Sequence, residues 1–132
     1  MRVPRSLLAL SVALGCSAVT WAQTKAPSLD IHYVPTPTAV VDTMLKLAKI
    51  TPQDVVYDLG SGDGRIVIAA AKEYGARGVG VELDPELVKR ARSAAERAGV
   101  QDRVTFTQSD LFTTDLSPAT VVTLYLSPSI NL

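Results

Sequence analysis

Short apolar stretches alternate along the chain with longer segments whose apolar residues recur at three- and four-residue spacing. The first pattern is typical of buried strands and the second of amphipathic helices. The strand pattern occupies residues 54–58, 78–83, 103–107 and 120–126. The helical pattern occupies residues 36–49, 64–74 and 85–98. Because strands alternate with helices of crossover length, the sequence predicts an α/β domain with a doubly wound parallel sheet.

Capping residues indicate where the helices begin and end. Thr36 is expected to cap the first helix and Asp84 the third, since each precedes a proline at the first helical position. Gly75 follows the second helical segment and is expected to end it in a left-handed conformation.

The first 22 residues have the pattern of a secretory signal peptide. Arg2 and Arg5 precede an apolar run at 7–14, and the small residue Ala22 ends the segment. The run is too short to cross a hydrocarbon core of about 30 Å. Cleavage and export to the periplasm or the medium are therefore expected, with no stable membrane span afterwards; an unused signal would leave the protein in the cytoplasm.

Residues 23–35 show no sustained hydrophobic periodicity and are interpreted as a linker, which assigns residues 36–132 to the α/β domain. Loss of Arg2 and Arg5 from the 13 basic residues leaves 11 against 13 acidic ones, a net charge of −2. The one cysteine, Cys16, would also be removed, so thiol chemistry is excluded from the mature chain. A single histidine excludes a multi-histidine metal site, and no metal is expected.

Candidate chemistry is concentrated in a glycine-rich turn between the first strand and the second helix, DLGSGDGR at residues 58–65. Gly60 and Gly62 allow the backbone to turn tightly and to approach a ligand, and the free N–H groups of the following helix face that ligand. Glu82 closes the next strand, where an acid can accept hydrogen bonds from a ribose diol.

Two cofactor classes compete for this geometry. A dinucleotide fingerprint needs glycine where Arg65 stands, whereas the third glycine is Gly64, one residue earlier. The carboxylate of Asp58 opens the turn; it would repel a pyrophosphate but attract the ammonium of an amino-acid moiety. A nicotinamide-dependent oxidoreductase is therefore the less favoured alternative.

These motifs resemble those of the class I, seven-strand S-adenosylmethionine-dependent methyltransferases. The matching stretches are VVYDLGSGDGR at 55–65, GVELDP at 80–85 and FTQSDLF at 106–112. The resemblance implies a Rossmann-like fold and S-adenosyl-L-methionine as the cofactor.

The resemblance also implies where the cofactor is bound. The glycine turn borders its methionine part, Glu82 binds the ribose hydroxyls, and Asp110 with the backbone of Leu111 holds the adenine. Tyr33 and Thr36 are candidate neighbours. The implied site residues are Asp58, Gly60, Ser61, Gly62, Glu82, Asp110 and Leu111.

Each of these residues also has a structural interpretation. The glycines can form a plain strand-to-helix turn, Glu82 can be an ordinary exposed carboxylate, and Asp110 can form an Asx turn. The basic residues of the third helix are interleaved with glutamates, which favours a solvated face over a nucleic-acid patch. No nucleic-acid partner is expected.

The acceptor is suggested by a narrower resemblance. YVPTP at 33–37, together with the run 54–68, is similar to the small protein-lysine methyltransferases related to the mitochondrial ones, which implies a protein as the methyl acceptor. The segment SPSI at 127–130 lacks the aromatic ring of the Asn-Pro-Pro-Tyr motif that many amine methyltransferases carry, so it does not support an amine acceptor. No catalytic residue is assigned, because an in-line methyl displacement depends chiefly on alignment.

A complete domain of that family has seven strands, whereas this chain supplies four, in the expected spatial order 3-2-1-4. The chain is therefore interpreted as the N-terminal, cofactor-binding half of a truncated domain, with the strand at 120–126 as an unpaired apolar edge. The alternative function is an inactive fragment, or one that binds the cofactor without turnover.

Overall fold

Helices and strands alternate through residues 33–126, the part of the chain that the computed structural model describes. The predicted signal peptide, most of the linker and the SPSI segment lie outside these residues. The elements are α1 (Thr38–Leu47), β1 (Val55–Leu59), α2 (Arg65–Tyr74), β2 (Arg77–Glu82), α3 (Pro85–Ala98), β3 (Val104–Gln108), a 3₁₀ turn (Leu111–Thr113) and β4 (Val121–Leu124).

The four strands form one parallel sheet in the order β3-β2-β1-β4, which confirms the predicted α/β class and strand order. The register places Asp58 of β1 between Gly80 of β2 and Thr123 of β4. Glu82, the last residue of β2, stands beside Gln108 of β3. The carboxyl ends of the strands therefore bring the candidate polar residues to one edge of the sheet.

One apolar core joins the sheet to all three helices. Val56 of β1 and Val67 of α2 are fully buried in it, together with Leu45 of α1. Alanine supplies much of the α2 and α3 contribution, so these helices can approach the sheet closely. The buried residues of α3 are Leu87, Val88, Ala91 and Ala95.

The strand β4 lies at an edge of the described sheet, where it pairs with β1. Val122 and Leu124 are 42% and 51% exposed, as expected of an apolar edge strand. In the described part of the chain, no helix combines the length and the apolar character needed to cross a membrane.

Two helix boundaries differ from the prediction. The cap of α1 is Pro37 rather than Thr36, with no side-chain hydrogen bond, because the Thr36 backbone is engaged by Arg65 of α2. The helix also ends at Leu47 instead of Lys49, whose φ of 51° is left-handed.

The other predicted caps are confirmed. The Asp84 carboxylate accepts a 2.8 Å hydrogen bond from the Glu86 N–H at the start of α3, with Pro85 at the first helical position. Gly75 ends α2 with a φ of 69°.

Candidate functional site

The glycine turn between β1 and α2 is fixed to the neighbouring strand by its backbone. The N–H groups of Gly60 and Ser61 both donate to the Val81 carbonyl of β2, at 2.8 and 3.0 Å. Gly60, Gly62 and Gly64 have φ values of 80°, 54° and 79°, a region that costs other residues free energy. The predicted turn is thus formed, and its three glycines are required by its conformation.

The Glu82 side chain reaches this turn from the end of β2. One carboxylate oxygen, Oε2, accepts from the Gly62 N–H at 2.9 Å, and Oε1 accepts from the N–H groups of Leu83 and Asp84 at 2.8 and 3.0 Å. The structure therefore brings Glu82 and Gly62 together, although they are 20 residues apart. Three backbone donors orient the carboxylate, and its remaining lone pairs can accept from a ligand hydroxyl.

Asp58 lies beneath the turn and is only 3% exposed. The pKa of its carboxyl is raised to about 6, chiefly by burial and in part by the nearby charges of Glu82 and Asp63, while a hydrogen bond from Thr123 lowers it. The Thr123 hydroxyl donates to Asp58 Oδ1 at 2.7 Å. A buried carboxylate with unfavourable neighbouring charges is stabilised by any cation placed beside it.

The Ser61 hydroxyl is buried within the same turn. Within residues 33–126 its Oγ atom has no hydrogen-bond partner. A Cβ built on Gly80 would lie 2.7 Å from this atom, so the hydroxyl faces the backbone of β2.

Asp110 lies at the same edge of the sheet but is exposed. Its Oδ1 accepts a 2.9 Å hydrogen bond from the Phe112 N–H and so caps the 3₁₀ turn that contains Leu111. The preceding residue, Ser109, donates its N–H to the Glu82 carbonyl at 3.1 Å, which places this turn next to the end of β2. The Asx interpretation thus describes the Asp110 side chain, and the adenine-binding role of Asp110 and Leu111 stays a prediction.

Residues before α1 also contact the glycine turn. A Cβ on Gly62 would overlap Cε2 of the Tyr33 ring. Thr36 is buried, and its carbonyl accepts from Arg65 Nη1 at 2.7 Å. Both candidate neighbours therefore lie beside the turn.

Two parts of this site are not predicted by the sequence patterns. The role of Thr123 depends on the β1–β4 register, which strand patterns do not give. The ion pair between Asp63 and Arg65 lies within the glycine motif itself. An acid and a base two positions apart are visible in the sequence and could have predicted this pair. Among residues 33–126, no three His, Cys, Asp or Glu side chains come together as a metal site would require.

Comparison with known proteins places the glycine turn in a family context. A family model described as the ANTKMT methyltransferase domain matches residues 58–132. A protein-lysine N-methyltransferase from Saccharolobus islandicus is 45% identical over 102 residues, 76% of this chain and 63% of that protein. An adenine nucleotide translocase lysine N-methyltransferase from Mus musculus is 41% identical over 103 residues, 77% of this chain and 44% of that protein.

Solved structures show the same fold. A crystal structure of an RNA methyltransferase from Salinibacter ruber, in complex with S-adenosyl-L-homocysteine, superimposes with a TM-score of 0.73 at 66% identity. The superposition covers 74% of this chain and 64% of that one. The chain thus spans from under half to just under two thirds of the length of these similar proteins.

Proposed function

The chain belongs to the ANTKMT methyltransferase domain family of class I methyltransferases, and from that premise we propose that it binds S-adenosyl-L-methionine and methylates lysine in a protein. The observation that carries the cofactor assignment is the Glu82 carboxylate, which three backbone N–H groups hold beside Gly62 at the open ends of β1 and β2.

The residues present fit this cofactor. Glu82 has acceptor capacity left for the two ribose hydroxyls. The Asp58 carboxylate, whose pKa is raised to about 6 by burial, gains most from the ammonium of the methionine moiety. The left-handed glycines keep Cβ atoms away from the turn. A pyrophosphate would instead add negative charge beside Asp58, which argues against a dinucleotide.

The bound cofactor supplies a methyl group on a positively charged sulfur. The chain's part is to orient that group and to exclude water from it, which the fixed turn and Glu82 are suited to do. Asp58, Glu82 and the glycine turn would hold the cofactor so that a neutral lysine amine could meet its methyl group in line. The electron pair of the S–C bond would remain on the sulfur, and the new ammonium would lose its proton to solvent. We assign no base among residues 33–126, since this displacement needs none at the methyl carbon.

The choice of lysine rests on the names of the relatives from Saccharolobus islandicus and Mus musculus. The Salinibacter ruber neighbour is named an RNA methyltransferase, so RNA is the competing acceptor. The test is transfer of labelled methyl groups to a lysine-rich protein, to the same protein with its lysines fully acetylated, and to total RNA.

The expected result is label in the unmodified protein that disappears when its lysines are acetylated and that falls in the Glu82→Ala variant at limiting cofactor concentration. Label in RNA alone would replace lysine with an RNA acceptor. Binding of S-adenosyl-L-homocysteine without transfer to either would favour the second candidate, a cofactor-binding chain without turnover.

We also propose that residues 1–22 direct export and that the mature chain begins at Gln23. Support comes from the basic, apolar and small-residue segments in that order. The test is N-terminal sequencing of the protein from the periplasmic and cytoplasmic fractions of a bacterial host. A periplasmic chain that starts at Gln23 is expected, and an intact N-terminus confined to the cytoplasm would contradict export.

A further inference from the structure

The side chain of Arg65 joins two segments that are distant in sequence. Its Nε and Nη2 atoms donate to the two carboxylate oxygens of Asp63, at 2.9 and 2.6 Å. Its Nη1 atom donates to the Thr36 carbonyl at 2.7 Å, across 29 residues. One guanidinium thus connects the glycine turn to the segment that precedes α1.

We infer that Arg65 is a positioning residue that fastens residues 33–37 to the glycine turn and thereby keeps Tyr33 against Gly62. The inference deepens the proposed function and rests on it, because the fastened segment then forms a fixed wall of the cofactor site.

Contacts on both sides of the turn support this role. The Tyr33 ring lies directly over Gly62, where any Cβ would overlap it. The N–H of the same glycine donates to Glu82. A shift of residues 33–37 would therefore move the Tyr33 ring away from Gly62, whose N–H orients the Glu82 carboxylate.

Asp63 and Arg65 also interact through their charges. Burial alone would raise the pKa of the Asp63 carboxyl, but the hydrogen bonds and the charge of Arg65 hold it below its ordinary value. Burial and the Asp63 carboxylate in turn raise the pKa of the Tyr33 hydroxyl. Tyr33, Asp63 and Arg65 thus form one interacting group.

Stabilisation of α2 does not explain why an arginine stands at position 65. It is the first residue of α2, where the helix dipole disfavours a positive charge. A planar group with donors on two sides is, however, suited to bridging a carboxylate and a carbonyl.

The test combines hydrogen exchange of the full chain with calorimetric titration of S-adenosyl-L-homocysteine, in the wild type and in Arg65→Ala. Arg97→Ala is the matched control, since Arg97 is an arginine of α3, distant in sequence from the turn. We expect exchange at Val40 and Val41, whose N–H groups donate to the Pro37 carbonyl, to rise about fivefold in Arg65→Ala and the dissociation constant to rise about tenfold. Exchange in α3 and all properties of Arg97→Ala should stay unchanged.

Two further variants keep the inference falsifiable if Arg65→Ala does not fold. Arg65→Lys retains the charge but cannot reach both partners, so it should recover only part of the protection. Asp63→Asn removes the ion pair and should also raise exchange at Val40 and Val41. Wild-type exchange at these residues in every folded variant would overturn the inference. If the wild type binds no S-adenosyl-L-homocysteine, the proposed function fails, and the exchange result still decides the role of Arg65.

Discussion

The hydroxyl of Thr123 donates a 2.7 Å hydrogen bond to the buried carboxylate of Asp58, its direct neighbour across the β1–β4 pair. Thr123 is itself only 7% exposed, so the contact is shielded from water. This hydrogen bond favours the charged form of a carboxyl that burial otherwise keeps protonated. The strand β4 therefore supports the glycine turn chemically as well as by pairing.

Asp58→Asn should make the protein more stable at pH 8 and weaken cofactor binding. Burial raises the pKa of Asp58 from 3.8 to about 6, which corresponds to roughly 3 kcal/mol against its charged form. The stability that the protonated carboxyl contributes is fully present below pH 3.8 and is lost as the pH rises through about 6. Asn keeps an acceptor for Thr123 and carries no charge at any pH.

Urea unfolding of the wild type and Asp58→Asn at pH 4 and pH 8 measures this effect. The advantage of the variant should be about 2.4 kcal/mol larger at pH 8 than at pH 4. If the unfolding free energies of the variant and the wild type differ by the same amount at pH 4 and pH 8, Asp58 is not the group that titrates.

Thr123→Val should destabilise the protein, and more so at high pH. The substitution removes the donor and leaves a buried carboxylate without it, at a cost of about 1–3 kcal/mol. The pKa of Asp58 should rise further, because the lost hydrogen bond favours the charged form. Thr107→Val, at an exposed position of β3, is the matched control. Unfolding free energies at pH 8 that are the same for both variants would refute the role given to Thr123.

Gly80→Ala should lower the free energy of unfolding more than Gly99→Ala does, because the added methyl group has no room at Gly80. A Cβ on Gly80 would lie 2.5 Å from the Phe106 ring and 2.7 Å from Ser61 Oγ, both buried, so we expect a loss of about 3 kcal/mol. Gly99 has open space around its Cβ position and a φ of 70°, so only backbone strain of about 1 kcal/mol applies.

Chemical unfolding of the two glycine variants gives this comparison directly. Gly80→Ala should also weaken S-adenosyl-L-homocysteine binding, because the Phe106 ring lies against Gly64 of the turn as well. Equal losses of stability in the two variants would contradict the packing argument.

Local chemistry makes part of this molecule predictable from its sequence. The cap at Asp84 depends only on the residues that follow it, and it forms as expected. The strand order follows from the family resemblance, and the turn between β1 and α2 follows from the spacing of its glycines. These features depend on residues close together in the chain or on a motif that carries its own geometry.

Contacts between distant segments explain what the sequence does not reveal. The pattern predicts a cap of α1 at Thr36, but the guanidinium of Arg65, 29 residues away, holds the backbone of that threonine. The partnership of Thr123 and Asp58 depends on the register of two strands 65 residues apart. Hydrophobic periodicity identifies strands and their faces, and it carries no information on which residues stand opposite each other.

Calorimetric titration with S-adenosyl-L-homocysteine, with NAD as the control ligand, tests the central claim most directly. The wild type and Glu96→Ala, an exposed glutamate of α3, should bind with equal affinity. Glu82→Ala should bind about tenfold more weakly, because the carboxylate beside Gly62 is lost. NAD should give no heat with any of them. Heat with NAD alone, or S-adenosyl-L-homocysteine binding that Glu82→Ala leaves unchanged, would contradict the cofactor site proposed at the glycine turn.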